Sequence, residues 1–362
     1  MQISPAAKSK SRSPGQSTNV TNIQRRTFVM PWPPHENYFH ELVTNLKESQ
    51  GTLIPDVHQF LQLIEAAAEI LKQRETVVNI NVQGDEAITV VGDVHGHFFD
   101  VCQIFEIVQS YPSDKHKFLF NGDIVDRGSF STEILYTLLY MLVARPDSMF
   151  INRGNHESDY CTNDYGFRKE VLDKYGAPVA NGPDPYAACL KMFRTLPIAS
   201  VVLDTIFVVH GGLWEDLSIT VDDLRRMDRD FEFSQSPDVV PTAMMQALWA
   251  DPHDGRGLAP TFRPFVRKWG SDRTAEFLDT NNLDFLIRSH EVVNEGYIAK
   301  HGETMCTLFS APNYMNSKNK GAVLTIRPKD AASGKIRMNV QSFLAAVSPE
   351  RYSYAPEGCV AM

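Results

Sequence analysis

The sequence of 362 residues predicts an α/β domain, and three observations carry that prediction. Apolar residues recur at helical spacing early in the chain, and from residue 87 onward short apolar runs alternate with helical or irregular segments. Those runs end in Gly, Asp, Asn and His, where ligands collect in α/β sheets. A composition of 43% hydrophobic, 22% charged and 10% aromatic residues can bury a large core. The length accommodates one large domain or two.

Residues 1–26 hold five Ser, two Pro, five Lys or Arg and no acid, too little apolar surface to offset the entropy of ordering. We read 1–35 as a disordered basic tail. Such a start also describes a transit peptide, but its prolines and the lack of an amphipathic stripe argue against one. Pro31, Pro33 and Pro34 mark the entry to a folded domain at 36–346, and 347–362 is expected to be a carboxyl-terminal tail. Next come two surface helices, one with Phe39, Leu42, Val43 and Leu46 on its apolar face, the other with Phe60, Leu61, Ile64, Ala68 and Leu71.

The net charge of −9, about −14 without the tail's basic excess, argues against a nucleic-acid partner held by bulk charge. Ile134–Ala144, the most apolar stretch, is far short of the roughly 20 residues of a membrane helix, so no membrane span is expected. Five scattered cysteines, Cys102, Cys161, Cys189, Cys306 and Cys359, form no C-x-x-C pair. They read as reduced thiols, which places the protein in the cytoplasm or nucleus.

Five runs are predicted as strands: Ala87–Val91, Phe118–Phe120, Met149–Ile151, Ile206–Val209 and Phe285–Ile287. The first leads into Gly92-Asp93-Val94-His95-Gly96 and the second into Asn121-Gly122-Asp123-Ile124-Val125-Asp126-Arg127-Gly128. The other three lead into Arg153-Gly154-Asn155-His156-Glu157, His210-Gly211-Gly212 and Arg288-Ser289-His290-Glu291. One such ending is weak, since a lone His after a strand is usually a hydrogen-bonded core residue. Five, each with glycine or a second polar group beside it, are poorly explained by packing.

Oxygen and nitrogen donors without thiolate suit Mn, Fe or Zn in an open catalytic site. Asp93, His95, Asp123, Asn155, His210 and His290 are six donors, too many for one ion with room for substrate and suitable for two sharing a carboxylate. Two ions about 3.5–4 Å apart can steady both oxygens of a phosphoryl displacement.

The ordered motifs G-D-x-H-G, G-D-x-x-D-R-G, G-N-H-E, H-G-G and S-H-E, followed by Ser310-Ala311-Pro312-Asn313-Tyr314, resemble the phosphoprotein phosphatase family of serine/threonine phosphatases. The resemblance runs from about Asn37 to Phe343. Asn121–Ser131, Ile287–Val292 and Glu295-Gly296-Tyr297 are most similar to its type-5 branch. It implies a metallophosphoesterase-type two-sheet β-sandwich flanked by helices. One divalent ion would be held by Asp93, His95 and Asp123, the other by Asp123, Asn155, His210 and His290, with manganese, iron or zinc as the metal. A metal-bridging hydroxide would attack phosphorus, with His156 as general acid, Asp126 orienting it, and Arg127 clamping phosphate oxygens.

The resemblance also implies a second arginine, which ungapped counting places at Arg263, and a tyrosine beside the phosphate at Tyr314. Here the chain departs from the family pattern. Pro264 replaces a usual glycine and biases Arg263 toward extended backbone, so Arg256 or Arg267 could take its place. Met315 stands where cysteine is frequent, and Lys318 and Lys320 make a basic loop where relatives often carry an acid. Trp249 reads as core more than contact. The helical repeats that cover the cleft in the type-5 branch have no room in a 35-residue tail, so control by that route is expected to be absent. Phosphoprotein substrates are the implied partners, with a regulatory protein subunit as a further candidate. Two rival functions stay open: hydrolysis of dinucleoside polyphosphates by the same metals, and a phosphoprotein-binding pseudoenzyme.

Overall fold

Side chains alternate across each apolar run, and that alternation builds three apolar layers around two sheets. The computed structural model describes residues 25–178, 182–232, 242–263, 265–330, 334–349 and 354. In chain order the elements are β1 (Arg26–Phe28), α1 (Phe39–Ser49), β2 (Leu53–Pro55), α2 (Val57–Lys72), β3 (Val77–Ile80), β4 (Ala87–Val91), α3 (Phe98–Val108), β5 (His116–Phe120), α4 (Ser131–Ala144), β6 (Met149–Ile151), α5 (Asp159–Tyr165), α6 (Phe167–Tyr175) and α7 (Pro185–Phe193). The chain continues through β7 (Ala199–Val202), β8 (Ile206–Val209), α8 (Val221–Arg226), α9 (Thr242–Trp249), β9 (Leu258–Ala259), β10 (Lys268–Trp269), α10 (Ser271–Thr280), β11 (Phe285–Arg288), β12 (Tyr297–Lys300), β13 (Met305–Leu308), β14 (Gly321–Lys329) and β15 (Ile336–Phe343).

Among the described residues, one mixed sheet has the order β15-β14-β4-β5-β6 and the other β12-β13-β11-β8-β7-β3. Ile88 and Val90 of β4, Leu119 of β5, Ile206 and Val208 of β8 and Ile287 of β11 meet between the sheets. Their neighbours point the other way. Val91, Phe118 and Phe120 pack under α1 to α4, while Phe207, Val209 and Leu286 pack under α9 and α10. This is the expected two-sheet sandwich flanked by helices. Strands β4, β5 and β6 run parallel, as do β8 and β11. Their carboxyl ends therefore emerge along shared edges.

The helix α4, which holds the Ile134–Ala144 run, is buried on nearly every side because α1, α2, α3 and α6 surround it. It is too short to cross a membrane, and no helix among the described residues is long and apolar enough to do so. Its first turn is closed by a buried side chain: Glu170 accepts from the Ser131 and Thr132 amides at 3.1 and 2.8 Å, and Lys174 pairs with Glu170 and Glu133.

One boundary differs from expectation. Arg26–Phe28, inside the 1–35 stretch read as disordered, pairs in parallel with Leu53–Pro55. The cause is non-local: Gln59 accepts from the Met30 amide at 2.7 Å and donates to its carbonyl at 2.6 Å, and Met30 is buried. In α2 the buried face carries Leu63 and Ala67, with Leu61 and Ala68 half-buried at its edge. Residues 1–24 and most of the expected 347–362 tail lie outside the described residues. Within that tail Tyr354 is described, and its hydroxyl donates to Asp173 at 2.6 Å.

Candidate metal centre and phosphate cavity

The two sheets are tied together at their carboxyl ends by Asn121, which follows β5. Its side-chain amide donates to the Val209 carbonyl at 2.8 Å and the Ser289 hydroxyl at 2.9 Å, both beyond or at the ends of strands in the other sheet. Glycine then permits close approach. A Cβ on Gly122 would stand 2.5 Å from Gly154 and 2.9 Å from the His210 ring, and one on Gly154 would stand 2.3 Å from Asp123 Oδ1. No other residue fits either position without moving the carboxylate or the imidazole.

On this frame the six expected donors come together, all buried. Asp123 faces both histidine groups with separate oxygens, Oδ2 at 3.5 Å from His95 Nε2 and Oδ1 at 3.3 Å from His210 Nε2. His210 Nε2 also lies 2.9 Å from Asn155 Oδ1 and 3.3 Å from His290 Nδ1. Asp93 Oδ2 is 3.8 Å from His95 Nε2, and Asp93 Oδ1 accepts from the His290 amide at 3.1 Å. The rear nitrogens of two imidazoles are occupied, His95 Nδ1 by the Val125 carbonyl at 3.0 Å and His210 Nδ1 by the Asn121 carbonyl at 2.8 Å. Each ring thus turns its Nε2 inward, the nitrogen that ligation would use.

The electrostatics favour cations here. Burial lifts the Asp93 carboxyl to about 7, against the pull of His210 and with Asp123 adding to the rise. Burial would lower His210, but Asp123 outweighs it and holds the ring at about 9. Burial and the neighbouring His156 drive His95 well below its usual value. A cluster that draws a proton onto an imidazole facing a second imidazole and a carboxylate is short of positive charge, and a metal ion displaces such a proton. Asp93 Oδ2 is buried without a hydrogen-bond partner, as a ligand oxygen would be. The donor set therefore fits divalent ions. Among the described residues, two groups each hold potential ligand atoms within 4.8 Å of one another, His95–Asp123–His156 and Asp123–His210–His290, and they share Asp123.

His156 belongs to the first group by distance, yet its surroundings suit a proton carrier. Its Nδ1 lies 2.7 Å from Asp126 Oδ2, while Asp126 Oδ1 accepts from the Phe167 amide at 2.9 Å. Burial opposes its protonation, but the charge of Asp123 and the bond to Asp126 prevail and raise its pKa. The ring stands edge-on to His95 at 4.7 Å and lines a cavity of about 200 Å³ that His95, Asp123, Asn155 and His290 also line.

Arg127, Arg263, Trp249 and Tyr314 line the same cavity. Arg127 lies 4.0 Å over the Tyr165 ring, and its Nε and one terminal nitrogen are buried without partners. Arg263 donates to Asp251 at 2.7 Å and to the Trp249 carbonyl at 2.8 Å, leaving its buried Nε unpartnered. The structure thus brings Arg263 to the cavity despite the proline after it. Arg256 is exposed, with Asp272 at 3.9 Å, and Arg267 is exposed as well, so neither takes that place. Pro264 itself lies outside the described residues. Tyr314 stacks on His95 at 4.9 Å, and Trp249 is both buried core and cavity wall. The four described cysteines are buried free thiols.

Sequence reasoning missed the residues that hold these groups in place. Glu157 accepts from the Asp123, Ile124 and Gly154 amides at 2.8–2.9 Å, fixing the turn that aims Asp123 at a φ of 49°. Asp251 joins Arg263 to Arg288. For Glu157 a signal existed: a carboxylate inside a motif otherwise bound for burial needs amide donors.

Residues 87–294 match the family described as calcineurin-like phosphoesterase. The chain is similar to serine/threonine-protein phosphatase T of Schizosaccharomyces pombe, 39% identical over 79% of this chain and 59% of that protein. It is 38% identical to human serine/threonine-protein phosphatase 5 over 80% of this chain and 54% of that one. The chain thus spans little more than half the length of these relatives. A solved protein serine/threonine phosphatase from Saccharomyces cerevisiae, described as similar to human phosphatase PP5, superposes with a TM-score of 0.77 at 32% identity, covering 87% of this chain and 98% of that one.

Proposed function

The chain belongs to the calcineurin-like phosphoesterase family, and from that membership we propose that it hydrolyses phosphoserine and phosphothreonine esters in proteins. The observation that carries this reading is the His156–Asp126 pair, 2.7 Å apart and buried in the wall of a cavity floored by the Asp and His cluster. Asp93, His95 and Asp123 would hold one divalent ion, and Asp123, Asn155, His210 and His290 the other, with manganese, iron or zinc suiting these donors. When bound, such ions supply Lewis-acid charge to phosphoryl oxygens and acidify water.

The chain's own groups do the rest. Arg127 and Arg263 present buried, unpartnered N–H donors to the phosphoryl oxygens, and each well-aimed donor is worth about 3–4 kcal/mol in the transition state. His156 donates its Nε2 proton to the departing serine or threonine oxygen, and Asp126 keeps the opposite nitrogen protonated and the ring aimed. Tyr314, stacked on His95, closes one side of the cavity.

The test compares phosphoserine and phosphothreonine peptides with dinucleoside polyphosphates, using enzyme whose metal content has been measured with and without added manganese. Phosphopeptide hydrolysis is expected to dominate. A strong preference for dinucleotides, or an inert but metal-loaded enzyme, overturns the reading.

A further inference from the structure

Asp126 and Arg127 both stand in left-handed backbone, at φ of 72° and 68°, although neither is glycine. Such a pair persists only where neighbouring segments impose it. Much of that constraint comes from α6 and the corner that leads into it. The Tyr165 carbonyl accepts the Arg127 amide at 3.0 Å, and the Phe167 amide donates to Asp126 at 2.9 Å. Further along, Lys174 donates to the Ser129 carbonyl at 3.2 Å, and Glu170 accepts from the Ser131 and Thr132 amides. One nine-residue helix thus helps to hold both sides of the loop that presents Arg127.

That helix has little apolar surface of its own to keep it in place. Its buried apolar side chains are Phe167 and Val171, with Tyr175 half-buried and stacked on Phe60 at 5.5 Å. On its outer side, Asp173 is clasped from two distant segments. Arg25, ahead of β1, donates to the Asp173 carboxylate at 2.6 Å and to its carbonyl at 3.2 Å. The Tyr354 hydroxyl, beyond β15, donates to the same carboxylate oxygen at 2.6 Å and accepts from Arg25 at 3.3 Å. A lone exposed ion pair contributes little. Here one oxygen takes two donors, one of them charged, from residues 329 positions apart. The clasp sits one residue from Lys174, the side chain that reaches Ser129.

We propose that Arg25, Asp173 and Tyr354 are positioning residues for Arg127: their clasp keeps α6 seated, and α6 keeps the guanidinium within reach of the phosphoryl group. This rests on the phosphatase reading and adds a remote support to the same site. None of the three residues lines the cavity, so substrate affinity becomes adjustable without any contact to phosphate. A clamp that grips phosphate both before and during the reaction lowers KM. Loosening it therefore raises KM more than it changes kcat.

The experiment uses the metal-loaded full chain and the variants Tyr354→Phe and Asp173→Ala, which leave the buried Lys174–Glu170 pair intact. KM for a phosphothreonine peptide is expected to rise about threefold to tenfold, with kcat within about twofold. Affinity for inorganic phosphate, measured by calorimetry, should fall by a similar factor. In an Arg127→Ala background either variant should add less than about twofold, whereas in an Arg263→Ala background the full effect should persist. Unchanged KM and phosphate affinity overturn the clasp and spare the phosphatase reading. So does an equal effect in both backgrounds. A fall in kcat and melting temperature at constant KM also overturns it, since the three residues then serve stability alone. If Tyr354→Phe weakens phosphate binding in a chain that turns over no phosphopeptide, the clasp stands and the phosphatase reading is overturned.

Discussion

The floor and the walls of the cavity are built by different means. In the floor, Asp123 is fixed by Glu157 through backbone amides and by the His156 amide at 3.0 Å, and its carbonyl accepts from Val94 and His95. Asp93 is held from two further loops, by the Ser310 amide on its carbonyl and the His290 amide on its side chain. In the walls, Arg127 leans on one ring, Tyr165, and Arg263 is anchored in one short segment, Trp249 to Asp251. His95, Asp123 and His290 occupy left-handed backbone, with φ of 40°, 49° and 69°, and Arg127 in the wall shares it at 68°, so the contrast lies in how many segments anchor each side chain. Such strain persists only where several segments impose it. The difference teaches that the floor is all-or-none, while the walls can be loosened by degrees.

The largest effect is therefore expected in the floor. Asp123→Asn removes the one carboxylate placed between His95 and His210. Bound metal per chain, by elemental analysis, should fall together with turnover, which drops about 10³-fold or more. Full metal content with undiminished turnover would erase the distinction between floor and wall. His156→Ala comes next, with a loss of about 10²–10⁴ on phosphoserine peptides. Its loss on p-nitrophenyl phosphate should be much smaller, because nitrophenolate departs without a proton. Equal losses on both substrates would remove His156 from the acid role.

The walls follow. Arg127→Ala should cost about 10²–10³ in kcat/KM, since its unpartnered donors are free to serve the phosphoryl group. Arg263→Ala should cost less, because one terminal nitrogen is committed to Asp251 and the Trp249 carbonyl. Its second effect is structural: it takes from Asp251 one of the two arginines paired with it. Comparing the two variants by KM and kcat for one phosphopeptide decides the ranking, and a larger loss for Arg263→Ala would reverse it.

The sequence made the floor legible and left the supports hidden, for a physical reason. Asp, His and Asn beside glycine are costly to explain by packing, so Asp93, His95, Asp123, Asn155, His210 and His290 stood out. Glu157, Asp251 and Tyr165 are ordinary residue types whose roles arise only when other segments arrive. The strand ends were readable because alternation fixes which side chains face the inter-sheet core. Arg26–Phe28 was not, since three residues pair with a distant strand and Met30 is held by Gln59 across 29 positions. Arg263 lay between: counting found it, and the proline after it argued against it until Asp251 was seen to fix its position.

The smallest effect tests how much a single support in the wall is worth. Tyr165 offers Arg127 a ring face at 4.0 Å and a backbone carbonyl that accepts the Arg127 amide at 3.0 Å. Tyr165→Leu keeps the carbonyl and removes the ring. A partly shielded cation–π contact is worth about 0.5–2 kcal/mol, so the guanidinium gains freedom and KM for a phosphopeptide rises by roughly twofold to 30-fold. In the proposed reaction the chemical step rests on His156, whose bond to Asp126 stays in place, so kcat should change less than KM. Tyr165→Phe keeps the aromatic face and should restore most of the affinity. If Leu and Phe behave alike, the ring is packing only, and Arg127 is held by its loop. If kcat falls with KM unchanged, the contact of Tyr165 with His156, 5.2 Å between ring centroids, matters more than its contact with Arg127, and this wall shares the all-or-none character of the floor.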